Sequence, residues 1–278
     1  MPPRILVTGA TDGIGRATAL ELARRGADVI AHGRLPARTA PVVAELRQLR
    51  ASTPGPVHAD LTDLQAVRAM AAQVARDGPL DVLINNAGVF ENERRTTPDG
   101  RERTLAVNHD APVLLTHALL EALHAAPQGR VVCVSSVAHA RGQLHLDDLD
   151  SARSFSGYGA YAASKLANVL FAVELARRLA HTRVTANALH PGVVTTKLLR
   201  GGFGMDGPET LDEGAATSVF LALDPSVATV SGQYFSQCRP ASAHRAARDR
   251  ELCARFYEES CRRVGTSPLP APEQPGGG

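Results

Sequence analysis

The sequence of 278 residues predicts a single α/β domain, a doubly wound parallel sheet of about seven strands flanked by helices. Short apolar runs rich in β-branched residues alternate with longer segments of helical periodicity, which is typical of parallel strands joined by crossover helices. Most of the predicted strands end in glycine or polar residues, at the edge where such sheets bind ligands. We expect the domain to span residues 1–265 and the Pro/Gly-rich residues 266–278 to be a disordered tail.

The composition argues against several classes of protein. The net charge of +2 and the absence of a lysine/arginine tract disfavour a nucleic-acid partner. No apolar run approaches the ~20 residues that span a bilayer, so we expect a cytoplasmic protein without a membrane anchor. No His/Cys/Asp cluster has metal-ligand spacing, so no metal site is expected. Four cysteines without a C-x-x-C pair are expected to be free thiols in a reducing compartment: Cys133, Cys238, Cys253 and Cys261.

The first strand, residues 4–8, leads into a glycine-rich turn with the spacing G-x-x-x-G-x-G. This turn contains Gly9, Gly13 and Gly15, and the helix after it ends at Gly26. Glycines let a backbone approach a pyrophosphate, and a helix N-terminus offers free N–H groups and a positive dipole. The order strand, turn, helix therefore predicts a Rossmann-type dinucleotide site. A turn that binds no ligand is the alternative, since the spacing differs from G-x-G-x-x-G.

The second strand, residues 28–32, ends beside the position that reads the adenosine ribose in a dinucleotide-binding fold. An acidic residue there hydrogen-bonds the ribose hydroxyls and suits NAD. This chain has Gly33 and then Arg34, so nothing acidic repels a 2′-phosphate and a guanidinium is available to bind one. We therefore expect NADP(H) to be preferred over NAD(H), the alternative being that Arg34 is only solvated.

The later strands are expected at residues 56–59, 80–84, 129–136, 183–189 and 232–235, and the later helices at 37–50, 101–124, 158–180, 211–223 and 243–263. Asp60 follows the third strand, where it would contact the adenine or serve as a cap. Asn108 lies inside a predicted helix, and because asparagine is a poor helix former it indicates a kink or a bound water. Residues 195–208 contain four glycines and are expected to form a mobile substrate lid.

Tyr161 and Lys165 give the strongest single signal, because residues four apart share one face of a helix. A phenol normally titrates near pH ~10, and an ammonium beside it favours the phenolate, which suits acid–base chemistry at neutral pH. Among the 30 basic residues, lysine occurs only at positions 165 and 197, so its retention here is notable. A simple surface contact between the two side chains is the alternative.

These motifs occur together and in order along residues 4–263: Thr8-Gly9-x-x-x-Gly13-Ile14-Gly15, Asn85-Asn86-Ala87-Gly88, Asn108, Ser136, Tyr161-x-x-x-Lys165 and Pro191-Gly192. In this joint pattern the sequence resembles the short-chain dehydrogenase/reductase family. Residues 135–139, 164–168 and 248–252 are also similar to the retinol dehydrogenase and WW-domain oxidoreductase branch of that family.

The resemblance implies an NADP(H)-dependent oxidoreductase that interconverts a carbonyl and a primary or secondary alcohol by hydride transfer. It implies that Tyr161 is the general acid/base, that Lys165 holds the nicotinamide ribose and biases Tyr161 towards ionisation, and that Ser136 binds the substrate oxygen. Asn108 would hold a water in the proton relay. The implied cofactor-binding residues are Thr8, Gly9, Thr11, Asp12, Gly13, Ile14, Gly15, Arg34, Asp60, Leu61, Asn86, Ala87, Gly88, Tyr161, Lys165, Pro191, Gly192, Val194 and Thr195.

The resemblance also implies a small carbonyl or alcohol substrate, and dimers or tetramers formed through the long helices. The expected pocket consists of the loops 89–100, 137–158 and 195–208, whose few aromatic residues favour a lipophilic carbonyl: Phe90, Phe155, Tyr158 and Phe203. Asp12 stands where NADP-using relatives often have a basic residue, and Arg16 is near enough to compensate.

Three alternative functions make different demands on the sequence. A hydrolase built on Ser136 and His139 lacks a G-x-S-x-G elbow. A regulatory protein that only binds the cofactor would not need the complete catalytic set implied by the resemblance. Non-redox chemistry at the same site stays open.

Overall fold

Parallel strands form the centre of the computed structural model, which describes residues 1–271. In chain order, the strands of that part are β1 (Arg4–Val7), β2 (Asp28–Gly33), β3 (Val57–His58), β4 (Val82–Asn85), β5 (Arg130–Val134), β6 (Thr185–His190), β7 (Tyr234–Ser236) and β8 (Arg239–Pro240). Across the sheet the order is β3-β2-β1-β4-β5-β6-β7-β8. The predicted doubly wound parallel sheet is confirmed.

One strand beyond the predicted seven, β8, pairs antiparallel with β7 at the edge of the sheet. It returns through a two-residue turn at Gln237 and Cys238, whose φ angles are 50° and 57°. Two-residue hairpins need such positive φ angles and usually recruit Asn or Gly for them. Because neither residue is of that type, the sequence carried no signal for this hairpin.

The chain reverses direction across the sheet at β1. From β1 it first extends to β2 and β3, and it then returns to continue outward through β4, β5 and β6. The crossovers that follow β1 and β4 therefore lie on opposite sides of the sheet and leave a crevice between them at the carboxyl ends of the strands. This switch point is where the fold positions a ligand.

Helices cover both faces of the sheet. They are α1 (Gly13–Arg24), α2 (Pro36–Leu49), α3 (Leu64–Arg76), α4 (Arg103–Leu105), α5 (Ala111–Ala118), α6 (Leu120–Ala125), α7 (Gly157–Arg178), α8 (Lys197–Phe203), α9 (Leu211–Leu223) and α10 (Arg250–Arg263). Apolar residues of α1, α2 and α9 pack on one face. Those of α3, α5, α7 and α10 pack on the other.

The helix predicted over residues 101–124 is broken at the asparagine that signalled an irregularity. A π-helical turn, Ala106–Asp110, separates α4 from α5, and the N–H of Ala111 bonds to the carbonyl of Ala106. Pro112 follows and has no N–H, so the carbonyl of Asn108 cannot receive the usual i+4 helical hydrogen bond. The predicted kink is confirmed.

The helix α7 is buried along almost its whole length. From Ala160 to Ala176 every residue is buried except Ala163 and Val173, which are half-buried. One side of α7 faces the sheet, and the other packs against Phe256 of α10 and the leucines of residues 144–149.

The end of the chain differs in part from expectation. The last helix begins at Arg250 rather than near residue 243, because Asp249 accepts a hydrogen bond from the N–H of Leu252 and caps it there. Of the predicted tail, residues 272–278 lie outside the described residues, and the domain boundary at residue 265 stays a prediction. Within residues 1–271, no helix is long and apolar enough to cross a membrane.

Candidate active site

A cavity of about 980 Å³ opens at the carboxyl edge of the sheet, at the switch point. Most of the predicted site residues line it: Gly9, Thr11, Asp12, Gly13, Ile14, Gly15, Arg34, Asp60, Leu61, Asn86, Ala87, Gly88, Ser136, Tyr161, Lys165, Pro191, Gly192 and Val194. The side chains of Thr8, Asn108 and Thr195 do not. Segments more than 180 residues apart in sequence thus meet around one cavity.

The glycine turn is shaped for a phosphate. Gly9 and Gly13 have φ angles of 67° and 54°, which disfavour any residue with a side chain. A Cβ atom at Gly15 would clash with the amide nitrogen of Asn86 and the carbonyl of Gly9. Ile14 and Gly15 belong to the first turn of α1, whose N–H groups have no acceptor in a preceding turn. These residues therefore fit a dinucleotide, whose phosphates would take up the free N–H groups.

His32 supports this turn, and sequence reasoning missed it. Its Nδ1 accepts a hydrogen bond of 3.1 Å from the N–H of Gly9, and its Nε2 donates to the carbonyl of Ala59 at 3.2 Å. Burial lowers the pKa of His32 to about 4, so the ring is neutral and can accept at one nitrogen and donate at the other. Its place directly before Gly33 at the end of β2 was the available signal.

Thr8 acts from behind the turn rather than in the cavity. Its Oγ1 accepts hydrogen bonds from the backbone N–H groups of Asn86, at 2.9 Å, and Ala87, at 3.0 Å. In return, the side-chain amide of Asn86 donates to the carbonyl of Thr8 at 2.8 Å. The ends of β1 and β4 are thereby tied together beneath the cavity.

Asp12 is surrounded by cations at the entrance of the cavity. One carboxylate oxygen accepts from the N–H of Gly13 at 2.8 Å and caps α1, and the other contacts Nζ of Lys197 at 2.5 Å and Arg38 at 3.5 Å. The hydrogen bond from Lys197 is the largest cause that lowers the pKa of Asp12. Arg16 pairs with Glu45 at 2.5 Å and does not line the cavity, and its expected compensation for Asp12 stays a prediction.

Arg34 and Asp60 face each other at the ends of β2 and β3, with 3.9 Å between charged atoms. Asp60 also accepts from the N–H of Thr62 at 3.0 Å and from its hydroxyl at 2.8 Å, as a local turn cap does. These bonds form a local turn at Asp60, whereas the N-cap of the helix α3 is Asp63, so Asp60 does not cap that helix. Its place in the cavity wall keeps adenine contact as a prediction.

Tyr161 and Lys165 lie together at the inner end of the cavity. Nζ of Lys165 is 5.5 Å from the centre of the Tyr161 ring and donates to the carbonyl of Val134 at 3.1 Å. Burial raises the pKa of Tyr161 to about 12, and a hydrogen bond with Ser136 acts in the opposite direction. Burial dominates the pKa of Tyr161 in the chain by itself, and the expectation that Lys165 biases Tyr161 towards ionisation stays a prediction.

The side chain of Asn108 does not line the cavity but bonds to Val89, which does. Its side-chain amide donates to the carbonyl of Val89 and to the hydroxyl of Ser164, both at 3.0 Å, and its Oδ1 accepts from the N–H of Val89 at 2.7 Å. These bonds hold the segment after β4 against α7. Pro112 denies the carbonyl of Asn108 an i+4 donor, and the water expected at Asn108 stays a prediction.

Ser136 and His139 do not form a nucleophile–base pair. The hydroxyl of Ser136 lines the cavity and accepts from the N–H of Ala138 at 3.2 Å. Nδ1 of His139 donates to the backbone carbonyl of Ser136 at 2.7 Å, and its Nε2 accepts from the N–H of His244 at 3.2 Å. Both ring nitrogens are thus engaged away from the Ser136 hydroxyl, which disfavours the hydrolase alternative.

The predicted lid, residues 195–208, packs an aromatic ring against Tyr161. Within the expected lid, α8 places the ring of Phe203 5.5 Å from Tyr161, 6.0 Å from Tyr158 and 4.8 Å from Phe90. Gly202 permits this packing, because a Cβ there would lie 2.6 Å from the Phe90 ring. Of the predicted pocket aromatics, Tyr158 and Phe203 line the cavity, whereas Phe90 and Phe155 do not.

The base of the lid is fastened by Thr195, whose Oγ1 accepts from the N–H of Gly207 at 2.9 Å and donates to its carbonyl at 3.2 Å. Thr195 therefore closes the lid segment on itself rather than facing the cavity. The mobility of residues 195–208 stays a prediction.

Lys165→Met is expected to stabilise the fold, by on the order of 1–3 kcal/mol at pH 7. Lys165 is 3% exposed, and burial lowers its pKa to about 8. Between pH 8 and ~10.4 the unfolded wild-type chain therefore binds more protons at this lysine than the folded chain does. As pH rises through that window, the free energy of unfolding of the wild type increases relative to that of the variant. Urea denaturation of both proteins at pH 7 and 9.5 measures the difference. A variant less stable than wild type at pH 7, or a gap that stays constant with pH, would contradict the expectation.

The chain is similar to known proteins over most of its length. A family model described as short chain dehydrogenase matches residues 3–202. Retinol dehydrogenase 14 of Mus musculus is 40% identical over 285 residues, covering 94% of this chain and 85% of that protein. The crystal structure of an uncharacterised protein from Mycobacterium paratuberculosis matches with a TM-score of 0.80 and 33% identity over 97% of each chain. A short chain dehydrogenase of Escherichia coli CFT073 complexed with NADPH matches with a TM-score of 0.72 and 28% identity, over 85% of this chain and 97% of that one.

Proposed function

The chain belongs to the short chain dehydrogenase family, a family of oxidoreductases, and from that premise we propose that it is an NADP(H)-dependent reductase of lipophilic aldehydes or ketones. The observation that carries the proposal is the meeting of Tyr161, Lys165 and Ser136 in one cavity with the glycine turn. A proton donor (Tyr161), a cation (Lys165) and a hydroxyl (Ser136) would thus lie beside the nicotinamide end of a dinucleotide whose phosphates bind at that turn.

The cofactor contributes one thing to the reaction: when bound, reduced nicotinamide supplies a hydride to the carbonyl carbon. Ser136 donates a hydrogen bond to the substrate oxygen and orients it. Tyr161 delivers a proton to the same oxygen as negative charge develops there. Burial raises the pKa of Tyr161, so its phenol is protonated at neutral pH and has the proton to give.

Lys165 restores the proton that Tyr161 gives up. Its pKa of about 8 keeps most of the side chain protonated at pH 7, yet within a range where it can give up a proton. A water on the free carbonyl of Asn108 would connect this ammonium to bulk solvent. The side chain of Asn108, fully occupied by Val89 and Ser164, keeps that carbonyl in place.

The substrate class follows from the walls of the outer cavity. Tyr158, Phe203, Leu198 and Val137 line it near Tyr161, and Tyr158 and Val137 are exposed. Apolar side chains exposed in a cavity favour an apolar ligand, because burying them on binding is favourable at about 25 cal/mol per Å². Several relatives are named retinol dehydrogenases, which is consistent with a lipophilic substrate.

The proposal is tested by following NADPH oxidation by the purified protein over a panel of ketones and aldehydes that includes retinal. We expect turnover with lipophilic members and formation of the corresponding alcohol. Tight NADPH binding without any alcohol product over the whole panel would count against a reductase and favour non-redox chemistry.

Preference for NADP(H) is expected to depend on Arg34. Arg34→Asp places a carboxylate where the guanidinium lines the cavity, and it should raise the Kd of NADPH at least ~30-fold more than that of NADH, since it removes a charge-assisted hydrogen bond and adds repulsion. Calorimetric titration with both cofactors measures the ratio. Arg47→Asp, the same change at an exposed position of α2 outside the cavity wall, is the control. If the ratio of the NADPH and NADH Kd values in Arg34→Asp equals that of the wild type, Arg34 does not determine the preference for NADP(H).

A further inference from the structure

The second of the two lysines, Lys197, is not used by the proposed chemistry. It begins the lid helix α8, lines the cavity, and places Nζ 2.5 Å from Oδ2 of Asp12 in the glycine turn. Arg38 of α2 contacts the same oxygen at 3.5 Å, so the two cations are neighbours. Three segments distant in sequence, the turn, α2 and the lid, therefore bring charge to one point.

Stability of the fold does not explain this arrangement. The side chain of Lys197 is 78% exposed and that of Asp12 49% exposed. Exposed pairs of this kind contribute about 0–1 kcal/mol to stability. At the entrance of the cavity, three cations, Arg34, Arg38 and Lys197, stand against the two carboxylates of Asp12 and Asp60. The rim is left with a net positive charge beside a site that fits a dinucleotide.

We propose that Lys197 is a cofactor-binding residue, which joins Arg38 and Arg34 to complete a site for the 2′-phosphate of NADP(H). The inference rests on the proposed function. Asp12 holds the ammonium over the turn, and the three N–H donors of Lys197 serve Asp12 and a phosphate at once. A phosphate carrying about −1.5 to −2 charges at pH 7 attracts the three cations more strongly than either carboxylate does. The cation that relatives often carry at position 12 is supplied here from the lid.

Binding at this point also connects the cofactor with the lid. Lys197 and Phe203 are the two ends of α8, and Phe203 packs on the catalytic Tyr161. A phosphate held by Lys197 fixes one end of the helix while the other end closes the substrate pocket. NADPH therefore orders the lid more than NADH does.

The test is calorimetric titration of the wild type and three variants with NADPH, NADH and 2′,5′-ADP. Lys197→Gln should raise the Kd of NADPH and of 2′,5′-ADP roughly tenfold, the loss of one charge-assisted hydrogen bond, and leave that of NADH within about twofold. Lys197→Arg should retain most of the NADPH affinity. Arg200→Gln is the matched control, because Arg200 is an exposed cation on the same helix that pairs with Asp206 at 2.6 Å and does not line the cavity.

Other results would overturn the inference. Equal weakening of NADPH and NADH by Lys197→Gln would place the ammonium on the shared diphosphate. Unchanged affinities in Lys197→Gln would show that Lys197 only pairs with Asp12 at the surface. An equal effect of Arg200→Gln would show that the net charge of the lid, and not Lys197 itself, affects binding. In each of these cases wild-type NADPH binding would still stand. A wild type that binds no dinucleotide would remove the proposed function together with the inference.

Discussion

Tyr161→Phe is expected to lower the rate of carbonyl reduction by about 10²–10⁴-fold, because it removes the proton donor, along with the hydrogen bond of that hydroxyl with Ser136. The hydroxyl is the only atom lost, and the ring contacts with Phe90 and Phe203, both at 5.5 Å, can persist. NADPH affinity should stay within about twofold, since the glycine turn and Lys165 are untouched. Steady-state turnover and calorimetric titration measure the two quantities.

Tyr158→Phe is the matched control for that experiment. Tyr158 also lines the cavity, but its side chain is exposed and its ring contacts Phe203 rather than Lys165. It is expected to change the KM of the substrate and to leave kcat within a few-fold. Turnover that survives in Tyr161→Phe and is lost in Tyr158→Phe would show that Tyr158, not Tyr161, is the proton donor.

Asp110→Ala is expected to lower the free energy of unfolding by about 3–5 kcal/mol, the usual cost of removing one partner from a buried ion network. Asp110 is fully buried and accepts from Arg101 at 3.0 Å and from Arg263 at 3.0 and 3.2 Å. Arg263 continues to Asp150 with two contacts of 2.9 Å. The substitution leaves two nearly buried guanidinium groups without this carboxylate. Urea denaturation followed by circular dichroism measures the loss.

The contrast is with an exposed pair in the same protein. Asp147 contacts Arg153 at 2.6 Å, but both side chains are more than 60% exposed, so Asp147→Ala should lower the free energy of unfolding far less than Asp110→Ala does. Because Asp110 ends the π-helical turn that contains Asn108, its loss should also reduce turnover in the protein that remains folded. Equal costs for the two substitutions would show that burial does not govern these ion pairs.

Local signals in the sequence were enough for the sheet, the glycine turn and the acid–base pair. The turn needs glycines at residues 9, 13 and 15 within seven positions, and Tyr161 and Lys165 share a helix face by their spacing alone. The kink at Asn108 was predictable because its cause, a poor helix former, is a property of that residue. In each case the information and its structural effect lie within one turn or one strand.

Features that depend on distant contacts were not predictable in this way. Lys197 meets Asp12 across 185 positions, and neither residue indicates the other in the sequence. The pKa of Tyr161 was expected to fall, because the neighbouring ammonium is visible in the sequence and the burial of the ring is not. His32 was overlooked for the same reason, because its two hydrogen-bond partners are distant in sequence: Gly9 in the glycine turn after β1 and Ala59 after β3.

The burial of α7 has a consequence for assembly. In many proteins a long helix at the side of a sheet is a surface on which a second subunit docks. Here the chain's own C-terminal helix and residues 144–149 already occupy that place, as the contacts of Leu166 and Leu170 with Phe256 illustrate. A second copy could reach α7 only by displacing α10, whose Arg263 is held by the buried carboxylate of Asp110. We therefore expect any dimer or tetramer of this protein to use another face, one that leaves the packing of α10 on α7 intact.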